Sequence, residues 1–247
     1  GYEANGLKNT YLLRQDILHG KYKISPYQHF TVYEPKKREI VATRLRDRQY
    51  QKALCMGGLY DDIVEHLIHD NGACQTCKGT DFTLDRMVAH LRRYYLKHGA
   101  EGWVLKCDVR KFFPSTRHDV AKKAVMKRVH DQRAAQAVCD VIDSFDGDVG
   151  IGLGSQISQL VELCVLDDLD HFIKERLRIK HYLRYMDDFV LIHHDKAVLQ
   201  ECLKEIVAFL TGTTGLELNK KTSLYPLRQG VKMLNWRFVI KKDLSLI

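Results

Sequence analysis

Residues 181–193 read His181-Tyr182-Leu183-Arg184-Tyr185-Met186-Asp187-Asp188-Phe189-Val190-Leu191-Ile192-His193. Two β-leaning runs, His181 to Tyr185 and Phe189 to His193, flank Met186-Asp187-Asp188, the pattern of a hairpin with two acids at its tip. Upstream, Trp103-Val104-Leu105-Lys106-Cys107-Asp108-Val109 is a further strand candidate with an aspartate near its end. An ionised carboxylate out of water costs several kcal/mol unless it is paired or metal-bound, so apolar strands normally avoid Asp. One account is a shared hard cation, above all Mg²⁺ with its demand for oxygen ligands. Two such ions can bridge carboxylates and a triphosphate. The other account is local: Asp favours β-turns, and Asp108 can cap a helix. For an isolated Asp-Asp pair the local account is the commoner one. The surrounding motifs decide between them.

The chain has 247 residues, of which 45% are hydrophobic and 28% charged, with a formal net charge of +8. That composition excludes a disordered tail and suits one large domain or two merged subdomains. No apolar run is long enough to span a bilayer, and the first residues show no secretory-signal pattern. Seven scattered cysteines argue against a disulfide framework and for reduced thiols, which implies a cytoplasmic protein with no membrane partner. The basic balance points to a polyanion such as nucleic acid. Periodicity predicts helices near 7–20, 46–69 (broken at Gly57-Gly58), 82–98, 116–144 in two segments, 155–177 and 196–212. Strands are expected at 27–34, 38–42, 103–109, 181–185, 189–193, 215–218, 223–226 and 232–240. Helices mixed with hairpin strands imply an α+β fold, an antiparallel sheet backed by helices.

Arg184-Tyr185-Met186-Asp187-Asp188-Phe189 resembles the Tyr-x-Asp-Asp hairpin of the reverse transcriptases, and Leu105 to Ser115 resembles their first aspartate motif. The resemblance runs from about residue 27 to residue 240. It implies that Asp108 and Asp187 are catalytic metal ligands, with the Val109 carbonyl assisting and Asp188 as a more peripheral acid. Two Mg²⁺ ions, replaceable by Mn²⁺, are the implied cofactors. Phe113 falls at the aromatic position that crowds the 2′-hydroxyl of a ribonucleotide. Gly150-Ile151-Gly152-Leu153-Gly154-Ser155-Gln156-Ile157-Ser158-Gln159 corresponds to the nucleotide-contacting turn and helix start, which makes Leu153, Gly154 and Gln159 nucleotide-pocket candidates. Leu153 stands where most members have Gln, a pattern similar to the error-prone enzymes of diversity-generating retroelements. Losing that polar group removes one check on pairing geometry. Gly152 departs from a proline often found at its position.

Lys36-Lys37-Arg38 resembles the first finger motif, whose basic residues grip the triphosphate; Arg38 offers paired donors to phosphate. Lys78 belongs to the next finger motif, in which Gln75 replaces an arginine. Lys221, or its neighbour Lys220, matches a lysine that approaches the leaving pyrophosphate; a plain basic turn is the alternative. Tyr185, Met186, Lys78, Leu234 and Trp236 take template and primer positions, with Asn235 where glycine is usual in the primer-grip hairpin. The resemblance implies fingers over 1–100, with 145–155 returning to them, a palm over 101–247, and a thumb absent or truncated. The implied partners are an RNA template, a DNA or RNA primer, a dNTP and an accessory protein. Other readings are a group II intron or phage-defence enzyme, or a non-catalytic RNA-binding scaffold. Separately, His66, His69, Cys74 and Cys77 have a spacing that can hold Zn²⁺, against the reading as ordinary thiols and surface histidines.

Overall fold

The computed structural model describes residues 3–34 and 37–240. In chain order the elements are α1 (Gly6–Leu18), β1 (Gln28–Val32), β2 (Arg38–Ala42), α2 (Leu45–Leu54), α3 (Tyr60–Val64), α4 (Thr80–His98), β3 (Trp103–Asp108) and α5 (Phe112–Ser115). They continue with α6 (His118–Arg128), α7 (Gln132–Asp143), α8 (Gln156–His171), β4 (His181–Tyr185), β5 (Asp188–His193), α9 (Lys196–Thr213), β6 (Ser223–Pro226), β7 (Val231–Met233) and β8 (Trp236–Phe238). These make two compact units: Gly1–Glu65 with Arg117–Cys164, and His66–Thr116 with Val165–Ile247.

The second unit is built on an antiparallel sheet in the order β4-β5-β3-β6. Strands β3, β4 and β5 are buried almost continuously rather than on alternate residues, because both faces are covered. On one face Val104, Leu183, Val190 and Ile192 pack with Met87, Leu91 and Tyr94 of α4 and with Val231, Met233 and Phe238 of the β7–β8 hairpin. Against the other lies α9, which buries Leu199, Cys202, Ile206 and Leu210. The expected mixed fold with a helix-backed antiparallel sheet is therefore present. The turn between β7 and β8 places Leu234 at φ 49° and Asn235 at φ 68°. Paired positive φ values match the strand twist, and Asn tolerates them nearly as well as glycine, so the replacement leaves the turn intact. The strand expected at 215–218 reduces to a single bridge between Val109 and Leu218.

In the first unit, β1 and β2 form a hairpin pairing Val32 with Arg38 and Gln28 with Ala42. The Val41 N–H donates to the Leu153 carbonyl at 3.1 Å, so β2 is tied to the glycine-rich turn ahead of α8. Two glycines there have a steric reason. A Cβ on Gly152 would lie 2.3 Å from the Phe145 ring, and Gly154 sits at φ 134° against the Val41 carbonyl. A side chain at 152, proline's included, would require the Phe145 ring to shift. The break at Gly57-Gly58 is present, with Gly58 at φ 113°. Asp131 caps α7 by accepting from the Arg133 and Ala134 N–H groups. Among the described residues no helix is long and apolar enough to cross a membrane, and all seven cysteines are free thiols.

Candidate active site

Strand pairing in the second unit brings the three acids together. Asp108, at the end of β3, is the register partner of Asp188, at the start of β5. Directly opposed residues of an antiparallel pair share a face, with Cβ atoms about 5 Å apart. The Val109 N–H donates to the Asp187 carbonyl at 3.1 Å, fixing the hairpin tip beside the end of β3. The tip is a tight turn, Met186-Asp187, between the paired residues Tyr185 and Asp188. Met186 is held at φ 54°, a conformation that costs a non-glycine residue about 1 kcal/mol or more.

Lys106 was not among the residues singled out from the sequence. Two positions before Asp108 on the same strand, it projects to the same face, and its ammonium pairs with the Asp188 carboxylate. The available signal was a lysine inside an otherwise apolar strand, in phase with the aspartate. Burial pushes the Asp188 carboxyl up from its ordinary value, and Lys106 partly offsets that rise. Among the described residues nothing donates a hydrogen bond to the Asp108 carboxylate. Asp108 and Asp188 are half-buried with one ammonium, paired to Asp188, beside them, and with Asp187 on the adjoining turn they supply a set of hard oxygen donors. That donor set fits Mg²⁺ or Mn²⁺ better than a thiophilic metal.

Two flanking segments are anchored at the same place. The Asn219 N–H donates to the Asp108 carbonyl at 2.7 Å, and Asn219 then organises the turn bearing Lys220 and Lys221, accepting from the Lys221 N–H at 3.1 Å. Lys221 is exposed on that turn. Phe112 is buried while Phe113, half-buried, meets it edge-on at 5.8 Å. Leu234 is half-buried at the β7–β8 turn, and Trp236 is 60% exposed beside it.

The loop carrying Lys78 serves itself first. Lys78 donates to the His69 and Asn71 carbonyls at 3.1 and 3.0 Å, and Gln75, buried, donates to the Asn71 carbonyl at 2.7 Å. The glutamine in place of arginine is thus a staple of the loop. The zinc spacing does not mature into a site: no cluster of metal-ligating atoms among the described residues contains His69, Cys74 or Cys77. The Cys74 thiol instead points at the Met186 sulfur, 3.7 Å away.

In the first unit Lys37 and Arg38 are exposed at the β1–β2 hairpin, and Lys36 lies outside the described residues. Leu153 is half-buried and Gly154 exposed in the turn that β2 is tied to, with Gln159 exposed in the first turn of α8.

Comparison with known proteins bears on the family and the fold. A family model described as "Reverse transcriptase (RNA-dependent DNA polymerase)" matches residues 36–238. Protein YkfC of Escherichia coli strain K12 is 26% identical over 283 residues, covering 94% of this chain and 71% of that protein. Among solved structures, apo telomerase from Candida tropicalis superposes with a TM-score of 0.65 at 13% identity, covering 99% of this chain and 53% of that one. The Sicinivirus RNA-dependent RNA polymerase gives a TM-score of 0.57 at 16% identity, covering 94% and 54%. The chain spans about half the length of these solved polymerases, and the likeness to them is one of fold.

Proposed function

Because this chain belongs to the reverse transcriptase (RNA-dependent DNA polymerase) family, we propose that it is an RNA-directed DNA polymerase. It would transfer dNMP from a dNTP to a primer 3′-hydroxyl, templated by RNA. The observation that carries this reading is the register of Asp108 with Asp188, together with the Val109–Asp187 hydrogen bond, which gathers three acids at one end of the sheet.

Asp108 and Asp187 would hold two Mg²⁺ ions, or Mn²⁺, with the Val109 carbonyl as a further ligand. Divalent ions bound there supply the charge that favours the primer alkoxide and the departing pyrophosphate. The chain's own residues position and balance. Lys106 neutralises Asp188, so the third acid adds shape to the site without adding its full charge. Lys221, exposed on the turn hung from the Asp108 carbonyl, would meet the leaving pyrophosphate with an ammonium. The Phe113 ring would exclude a 2′-hydroxyl and so select deoxynucleotides. In the finger unit we assign triphosphate binding to Arg38 with Lys37 and Lys36, and the nucleotide pocket to Leu153, Gly154 and Gln159. Tyr185, Met186, Leu234 and the exposed Trp236 would contact template and primer, a ring such as Trp236 offering a stacking surface.

Within the family, Leu153 in place of a pocket glutamine favours an error-prone enzyme of the diversity-generating type. The decisive assay is primer extension on an RNA template with Mg²⁺. Asp187→Asn should abolish incorporation while leaving the fold intact, and full activity in that variant would overturn the assignment. Sequencing the products tests the subtype: errors concentrated opposite template adenine support it, and uniform fidelity refutes it.

A further inference from the structure

The guanidinium of Arg184 and the carboxylate of Asp170 are both completely buried, on the sheet face turned away from Asp108 and Asp188. Arg184 Nε donates to Asp170 Oδ1 at 2.7 Å and Nη2 donates to Oδ2 at 2.6 Å, a two-pronged pair. Tyr182 Oη–H donates to Asp170 Oδ1 at 2.5 Å, and Asn71 Nδ2 reaches Oδ2 at 3.5 Å. The remaining nitrogen, Nη1, donates to the Met186 carbonyl at 3.0 Å. That carbonyl belongs to the peptide leading directly into Asp187.

A fully buried ion pair is a poor source of stability. Apolar residues of similar volume are often neutral or better, whereas removing one partner alone is strongly destabilising. The arrangement therefore calls for a role other than holding the core together. The Met186 peptide supplies one, because the turn is held at a positive φ without glycine, and such a conformation persists only where its surroundings enforce it. We infer that Arg184 and Asp170 form a positioning device for the acidic turn: Asp170 aims the guanidinium, and the guanidinium fixes the peptide that orients the Asp187 carboxylate toward Asp108. Arg184 touches neither substrate nor metal. It is a positioning residue, and the inference rests on the proposed metal-binding role of Asp187.

The test uses Tb³⁺, a hard-cation probe whose sensitised emission reads occupancy without turnover. Four proteins are compared: wild type, Asp187→Asn, the apolar triple variant Asp170→Leu/Tyr182→Phe/Arg184→Met, and Arg184→Lys. The triple variant removes every buried charge of the device at once, so thermal unfolding should be unchanged or raised. Its Tb³⁺ affinity should fall roughly tenfold and its kcat should drop with little change in KM for the dNTP. Arg184→Lys keeps the charge pair but has a single nitrogen that cannot span from Asp170 to the Met186 carbonyl, and should show the same loss of affinity, which covers the case of a triple variant that does not fold. Wild-type Tb³⁺ affinity in a folded triple variant, or in Arg184→Lys, overturns the positioning role alone. Wild-type Tb³⁺ binding that is insensitive to Asp187→Asn overturns the metal-binding reading, and the positioning role with it.

Discussion

Replacing Lys106 with methionine deletes one ammonium and keeps an apolar stem of similar length. The side chains of Lys106 and Asp188 are 21% and 24% exposed, so their pairing is screened only in part. Without the ammonium, the repulsion between Asp188 and its register partner Asp108 is left uncompensated. Two unit charges about 5–6 Å apart at an effective dielectric of about 20 repel by about 3 kcal/mol. The metal-free variant should therefore unfold about 2–3 kcal/mol more easily than wild type in urea at neutral pH. A divalent cation relieves the same repulsion, so millimolar Mg²⁺ should recover most of the loss in the variant and stabilise wild type far less. The measurement is a pair of urea titrations for each protein, with Mg²⁺ and with EDTA. Equal stability of the two proteins in EDTA, or an equal gain from Mg²⁺ in both, would refute the account of Lys106 as the fixed counter-charge of this site.

Gly152→Ala should cost about 1–3 kcal/mol in thermal or urea unfolding, because its Cβ would overlap the Phe145 ring. Gly57→Ala, with negative φ and open space around the added carbon, should change stability by less than about 0.5 kcal/mol. Trp236→Ala should weaken primer–template binding by about 1–2 kcal/mol in a fluorescence titration while leaving the melting temperature nearly unchanged, since the ring is mostly exposed. Acid should weaken the second unit through His181. Burial, followed by the nearby His90, His98, Lys174 and Arg93, pulls its pKa down from 6.5 to about 4. The folded chain refuses a proton that the unfolded chain takes up, so stability falls as pH drops from about 6.5 to about 4 and levels off below. Allowing for partial exposure the loss is about 1–2 kcal/mol, and His181→Leu should abolish this part of the pH dependence in urea titrations.

The acidic hairpin was legible because its signals are local: period-two apolar runs and an Asp-Asp pair at the turn lie within thirteen residues. Asp108 was legible for the same reason, as a carboxylate ending an apolar strand. The pairing of Arg184 with Asp170 was not, because the partners sit on different elements and each reads alone as an ordinary polar residue. Lys78 shows a related limit. The resemblance gives Lys78 a template or primer position, and the motif does not show that the loop, with few ladder hydrogen bonds, turns its own carbonyls toward that ammonium. The 215–218 segment, expected as a strand, reaches the sheet at one residue only and then turns at Asn219. Gly152 departs from the family pattern, and what a side chain there would meet, the Phe145 ring seven positions away, is visible only in the fold.

The outer border of β4 is occupied near its end, at Arg184. Arg184 accepts a backbone hydrogen bond from Gly72 and donates one to Asp70, so the 70–72 segment lies along it as a short parallel strap. At the opposite border β6 is only four residues long and ends in a proline, which has no N–H to offer. A sheet bounded in this way gives another chain little to pair with by strand addition, which protects so apolar a set of strands from self-association during folding.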